Sequence, residues 1–511
     1  MSGLPRLLQN ILANYAGSAV SVVVLFFLTP FVIKSLGNEA YAIWVLVHSV
    51  AFYLYFFDLG AYDALVKYTA ECDPDSPTEK GELERLMGTA MVLFGAAGAA
   101  ALITSLGFAR WLVPHLGVSP ELVPTVQLVT MILGLDAAFH FVLAALLGLL
   151  EGQQRYDVLN GVNIVRRVIQ ALATLALLGL GFGLVALTVL ELMLSVIALG
   201  AVAAIVTWLH PELTLNFTRF DRATWRRMRG YSVWALANEI ASEGSSELDK
   251  LFIPAFLSIA LLTPYSVACS IAAVVIYLIQ PIVAVFFPFS SQLGAADDRE
   301  GLDRLLIAGS KATLAISLPV AILLMFAGDA VIANWVGAEY VAEAGPVLRI
   351  VLTSFLVSAA FAPSVKILAA LAKVREIFML TLAEVLIAGS LVALTARSGG
   401  LPALVGSLLA ANCAINFGLL LPLTCRTLGV PVSRYLREVI AAPLGPALLA
   451  AGAAALLLHY WSVQSWLEIG VAGGVIGLTY AGGFLAMCVS KREREEIYHY
   501  ASRLLLATGA R

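Results

Sequence analysis

Apolar runs of membrane-crossing length, separated by short polar connections, recur along the chain at 11–33, 41–66, 86–108, 122–150, 158–181, 184–208, 231–255, 259–289, 306–328, 346–371, 376–396, 401–424, 437–459 and 465–489. A helix rises 1.5 Å per residue, so about twenty residues cover the roughly 30 Å of bilayer hydrocarbon. The pattern predicts an all-α polytopic membrane protein with about fourteen transmembrane helices. The first two form a hairpin: an apolar span ending Leu28-Thr29-Pro30-Phe31-Val32-Ile33-Lys34, a turn over 35–40, and a second span from Tyr41. An even number of spans places both ends of the chain on one side, and basic residues decide which. Arg219, Arg222, Arg226, Arg227 and Arg229 share one connection, and Lys491, Arg492, Arg494, Arg503 and Arg511 follow the last span. The opposite connections hold only Lys34, Arg110 and Arg397. Both termini are therefore expected on the cytoplasmic side.

Paired landmarks recur at a spacing of about 220 residues, which points to an internal repeat. Tyr15 and Tyr231 open one pair of spans and Tyr41 and Tyr265 another. Leu116-Gly117-Val118 before Pro124 parallels Val336-Gly337-Ala338 before Pro346. Parallel repeats in transporters place the substrate site between their halves. The expected organisation is an N-lobe of six helices at 1–208, a cytoplasmic linker at 209–229, a pseudo-symmetric C-lobe of six helices at 230–427, two extra helices at 428–489 and a cytoplasmic tail at 490–511. In the linker, Asp221 is placed to cap a short helix that presents Arg222, Arg226 and Arg229 to the inner membrane surface.

Composition agrees with the span pattern: 60% of the 511 residues are hydrophobic and 13% charged, and the mean hydropathy is +0.91. Soluble domains carry about 25% charged residues. A net charge of −3 gives no footing for nucleic acid. The N-terminal apolar run is longer than a signal-peptide core and lacks a small-residue cleavage site, so the first helix is expected to be retained. The five cysteines are scattered without C-x-x-C spacing, so neither a metal site, a disulfide framework nor a cofactor is expected.

Ionisable residues inside the spans carry the functional signal, because each costs several kcal/mol in hydrocarbon unless it faces a cavity or a partner. Asp58 stands well inside the second span without an obvious partner, while Asp63, Lys67 and Glu71 share one face where that span leaves the membrane. In the seventh span Glu239, Glu243, Glu247 and Lys250 form one polar stripe, with Glu247 and Lys250 also readable as a structural pair. Asp136 and His140 lie one turn apart near the middle of the fourth span. They suit either reversible proton binding or a packing hydrogen bond. The fifth span must reach back past Arg166 and Arg167, because the apolar run 168–181 is too short to cross alone. That places both arginines in its inner third. Adjacent residues point about 100° apart, so at least one should face the protein's centre. Arg349 and Lys366 are expected to snorkel, and Glu191 and Glu384 are weaker cavity candidates.

Leu36-Gly37-Asn38-Glu39-Ala40-Tyr41-Ala42-Ile43-Trp44, Phe57-Asp58-Leu59-Gly60 and Ala64-Leu65-Val66-Lys67-Tyr68 resemble the opening of bacterial polysaccharide flippases, of the O-antigen flippase kind. These belong to the multidrug/oligosaccharidyl-lipid/polysaccharide exporter superfamily. The resemblance implies a cationic central cavity, alternation between inward- and outward-facing states, and coupling to a proton or sodium gradient. It also implies a substrate of oligosaccharide on undecaprenyl diphosphate, moved across the bacterial inner membrane. Membrane lipids and assembly proteins such as a polysaccharide polymerase are the partners implied. On this reading Arg166, Arg167, Asp58 and Lys250 bind substrate, and Asp136, His140, Glu239 and Glu243 form the ion-coupling set. Arginine suits phosphates because its planar fork donates two parallel hydrogen bonds. A drug/cation antiporter of the same superfamily is the alternative, which the acids of the seventh span would suit. A membrane glycosyltransferase or polymerase fits less well, since the external connections are short and hold no metal motif or nucleophile triad.

Overall fold

The structure, a computed structural model, describes residues 26–72, 77–115, 118–211, 220–243 and 247–488. Among these residues every regular element is helical, and twelve helices are long and apolar enough to cross a membrane. The protein is a multi-pass, all-α membrane protein. It divides into two compact units, bounded at Thr263 and Pro264.

The first unit contains Phe26–Leu36 (α1), Asn38–Leu54 (α2), Ala61–Ala70 (α3), Pro77–Gly107 (α4), Val123–Gly152 (α5), Tyr156–Gly179 (α6), Leu184–Leu209 (α7), Arg222–Glu243 (α8) and Leu248–Phe256 (α9). The expected hairpin turns at Gly37, whose φ of 79° favours glycine. The expected span 11–33 lies mostly outside the described residues. The expected span 231–255 covers the end of α8 and all of α9, with 244–246 outside the described residues, and neither helix is among the twelve apolar ones. The short linker helix expected after Asp221 is instead the first part of α8, which runs on unbroken to Glu243.

Asp221 caps that helix as expected, accepting from the Thr224 backbone N–H at 2.8 Å and the Thr224 hydroxyl at 2.6 Å. Those bonds, the hydroxyl's first, hold the Asp221 carboxyl below the ordinary aspartate range. Arg227 fastens α8 to its neighbours, reaching Glu71 at 2.7 Å and Glu82 with its guanidinium 4.4 Å from the Tyr68 ring centroid. The Glu71 carboxylate therefore meets Arg227 across a helix interface.

The core of this unit lies where α3, α4, α5 and α7 meet, around Leu65, Met87, Phe94, Phe141, Leu149 and Val202. Without a hydrophobic driving force between helices in lipid, close backbone approach through small residues supplies much of the packing. Gly152 is such a point: a Cβ there would lie 2.7 Å from the Val66 carbonyl oxygen and 2.6 Å from the Thr69 Cβ. Gly152→Ala should push α3 off α5, costing about 1–3 kcal/mol and lowering the unfolding midpoint in detergent. Gly161→Ala, where nothing lies within 4 Å of the added carbon, should not lower it. Ile164, Val165, Ile169 and Leu172 of α6 are exposed, as expected of a surface turned to hydrocarbon.

The second unit begins within Leu262–Ala272 (α10) and continues through Val274–Ala295 (α11), Arg299–Trp335 (α12) and Val341–Ala370 (α13). Val374–Ala396 (α14), Ser398–Leu428 (α15), Val432–Tyr460 (α16) and Trp466–Met487 (α17) complete it. The expected single span 259–289 is thus two helices, α10 and α11. Non-helical backbone at Gly400, φ 63°, marks the bend between α14 and α15. Helices α16 and α17 pack on each other and on α12. Tyr435 anchors α16, stacking on Phe361 at 5.6 Å and donating to the Ala360 carbonyl at 2.8 Å. Arg349 pairs with Asp329 of α12 at 2.8 Å, so its charge is met by a neighbouring helix.

Candidate functional site: a polar cluster inside the first unit

Asp58 ends up in the backbone break between α2 and α3. Tyr55–Asp58 tightens into a 3-10 turn, and Leu59 (φ 53°) and Gly60 (φ 74°) both take left-handed backbone. Asp58 stabilises the break by accepting from the Gly60 N–H at 2.9 Å and the Tyr62 N–H at 3.3 Å. The Asp-Leu-Gly sequence thus has a local physical role: a short acceptor side chain opens a new helix while glycine relieves the strained turn.

Above that break, α2, α5, α6 and α7 enclose a group of polar side chains. The His48 ring of α2 packs at a tilt against Trp44, with ring centroids 4.0 Å apart, and its Nδ1 lies 2.8 Å from the Trp44 carbonyl oxygen. Its Nε2 lies 3.0 and 3.2 Å from the two carboxylate oxygens of Glu191 on α7. Gln170 of α6 donates to the same carboxylate at 3.2 Å. One turn away on α6, Arg166 donates to the Ser195 hydroxyl of α7 at 3.1 Å.

Asp136 of α5 is only 6% exposed and stands beside Ser195, within electrostatic reach of Glu191, Arg166 and His48. Its Oδ1 and the Arg166 Nε are buried without a hydrogen-bond partner among the described residues. Burying such groups unsatisfied costs about 1–3 kcal/mol each, more when charged. His140 is not bonded to Asp136: its ring packs against Tyr55, with centroids 4.9 Å apart. The structure therefore gathers Asp136, His140 and Arg166 into one place, but the direct contact between an imidazole and a carboxylate is made by His48 and Glu191.

Arg166 lies about 15 Å from the Tyr156 end of α6 and about 20 Å from its Gly179 end. It is near the helix midpoint rather than in the inner third, because α6 starts at Tyr156. Arg166 is half-buried and Arg167 exposed, as their angular separation predicts. On the adjoining face of α2, about 100° from His48, Ser49 donates to Glu247 at 2.6 Å. Lys250 closes that group, 2.6 and 2.7 Å from the Glu247 carboxylate oxygens. Glu239 is half-buried on α8, and the Glu243 side chain lies outside the described residues. In the second unit, Glu384 accepts from Asn412 at 3.3 Å.

The sequence pattern does not single out His48, Gln170 or Ser195, and it marks Glu191 only as a weaker cavity candidate. Each belongs to a same-face pair at i, i+4: Trp44 with His48, Arg166 with Gln170, Glu191 with Ser195. That spacing of polar groups within apolar helices was the available signal.

Residues 36–343 match a family model described as polysaccharide biosynthesis protein. Among solved structures, the chain is similar to lipid II flippase MurJ in an inward closed conformation. The two are 14% identical, with 93% of this chain and 99% of that one covered and a TM-score of 0.72. It is also similar to a multidrug resistance MATE family transporter of the MOP superfamily, inward-facing. There the identity is 15%, the coverage 81% and 96%, and the TM-score 0.66. The MATE multidrug transporter DinF-BH, in complex with R6G, follows at 15% identity, 83% and 96% coverage and a TM-score of 0.59. These likenesses establish a shared fold. No curated protein matches the sequence.

Proposed function

Because the chain belongs to the polysaccharide biosynthesis protein family, we propose that it is a flippase carrying oligosaccharide on undecaprenyl diphosphate from the inner to the outer leaflet of the bacterial cytoplasmic membrane. The observation that carries this reading is Arg166. A guanidinium with a buried, unpartnered Nε, held mid-helix in an apolar span, is a costly feature that a diphosphate would satisfy. Arg167 on the adjoining face is the second candidate contact.

Transport proceeds on this reading by alternating access of two lobes, 1–208 and 230–427, with both termini cytoplasmic and a proton or sodium ion driving the cycle. A polysaccharide polymerase and other assembly proteins take over the product. Cells depleted of the protein should accumulate lipid-linked oligosaccharide shielded from external lectin and lose surface polymer. Depletion that leaves both pools unchanged contradicts the reading. A drug/cation antiporter is the second reading, favoured by the carboxylates of Asp136 and Glu191, which could receive a cation. It expects depletion to raise sensitivity to cationic dyes instead.

A further inference from the structure

We propose that His48 and Glu191 form a one-proton site whose occupancy, set against the Arg166 and Asp136 charges, is the ion-binding step of transport. The inference rests on the transporter reading above for its role in the cycle, but not for the existence of the proton site.

The geometry fixes where protons can be. A carbonyl oxygen only accepts, so the 2.8 Å contact with Trp44 O assigns a hydrogen to His48 Nδ1. Nε2 then faces both oxygens of Glu191 at 3.0 and 3.2 Å. Two bare acceptors would repel at that distance, so one proton occupies the contact. It gives either imidazolium with carboxylate or neutral imidazole with a carboxyl group. Gln170, donating to Glu191 Oε1, orients the carboxylate without supplying charge.

The surroundings make the presence of that proton consequential. Facing the pair are Asp136 and His140 on α5, Arg166 and Gln170 on α6, Ser195 on α7 and Tyr55 below α2. At the adjoining face of α2, Glu247 and Lys250 on α9 form their own pair through Ser49, with Asp249 beside them. Arg166 can balance one of the two carboxylates, Asp136 or Glu191. The other is balanced only when His48 and Glu191 hold their proton. Releasing it leaves one uncompensated negative charge on Glu191, whose side chain is 12% exposed, and the protein must relieve that charge by moving or by admitting another cation. The unpartnered Asp136 Oδ1 and Arg166 Nε are the groups left to respond. A static packing pair would need no such imbalance, and would titrate, if at all, without reaching its neighbours.

The test is a proton titration of the full-length protein in detergent, followed by carboxyl infrared bands and by nitrogen-15 spectra of labelled histidine. One transition should show His48 Nε2 gaining or losing its proton while Nδ1 stays protonated, coupled to a Glu191 carboxyl band. His48→Gln and Glu191→Gln should each remove that same transition, and the double variant should remove nothing more. Two independent transitions, or one that survives both substitutions, would overturn the proposal. Where a variant does not fold, the wild-type nitrogen spectra still decide: titration of Nδ1 instead of Nε2 contradicts the assignment. Loss of oligosaccharide transport activity in every assay, with the titration intact, would count against the flippase reading alone.

Discussion

Arg166→Ala should abolish transport in protein that remains in the membrane, whereas Arg167→Ala should keep most of it. Arg166 is half-buried, bonded to Ser195 at 3.1 Å and set against Asp136, while Arg167 is exposed. Truncating one partner of a buried hydrogen-bonded charge group costs about 2–5 kcal/mol, roughly thirty- to several-thousand-fold at 1.4 kcal/mol per decade. Part of that loss is the carboxylate left behind without a counter-charge. Arg166→Lys keeps the charge but not the planar fork, so it should recover stability and only a fraction of transport if two oxygens of a diphosphate are gripped together. Transport per folded molecule in the three variants is the measurement. Full activity in Arg166→Ala ends the substrate-contact reading of that residue.

The second large effect is expected at Lys250. Its ammonium meets both Glu247 oxygens at 2.6 and 2.7 Å, with side-chain exposures of 22% and 21%. Ser49 of α2 donates to the same carboxylate. Lys250→Met would leave Glu247 charged and unbalanced between α2 and α9, a loss of about 3–5 kcal/mol for a fully buried pair and less in proportion to this exposure. Adding Glu247→Gln should restore most of it, because the amide carbonyl still accepts from Ser49 and no charge remains. If the double variant folds but transports nothing, Lys250 contacts substrate. If it transports normally, the pair is structural, and the melting curves of the single and double variants then account for its whole effect.

The helical membrane architecture was legible because apolar runs of crossing length are a direct consequence of the bilayer's thickness. The reach of α6 past Arg166 followed from the same length argument. Register within that helix did not, since the position of its first turn, at Tyr156, decides whether Arg166 sits in the inner third or at the midpoint. Asp58 was visible as a polar residue in an apolar segment, but its role depends on left-handed backbone at Leu59 and Gly60, which propensity alone does not specify. Asp136 and His140 drew attention by being one turn apart on one helix. The bonds actually made by His48, Glu191 and Gln170 join three helices, and local spacing marks the polar positions on each helix without saying which of them pair. The polar stripe of the seventh span was visible as a pattern in the sequence. That Glu247 meets Ser49 of α2 required knowing which helix lies beside it.

The central claim is tested most directly with purified protein in sealed vesicles containing a fluorescent lipid-linked oligosaccharide, its exposure on the outer face followed by lectin or by quencher. Substrate should cross the bilayer faster than in protein-free vesicles, an imposed ion gradient should change the rate, and Arg166→Ala should return it to background. Vesicles in which the wild-type protein moves a cationic dye but leaves the lipid-linked sugar in its original leaflet would contradict that claim.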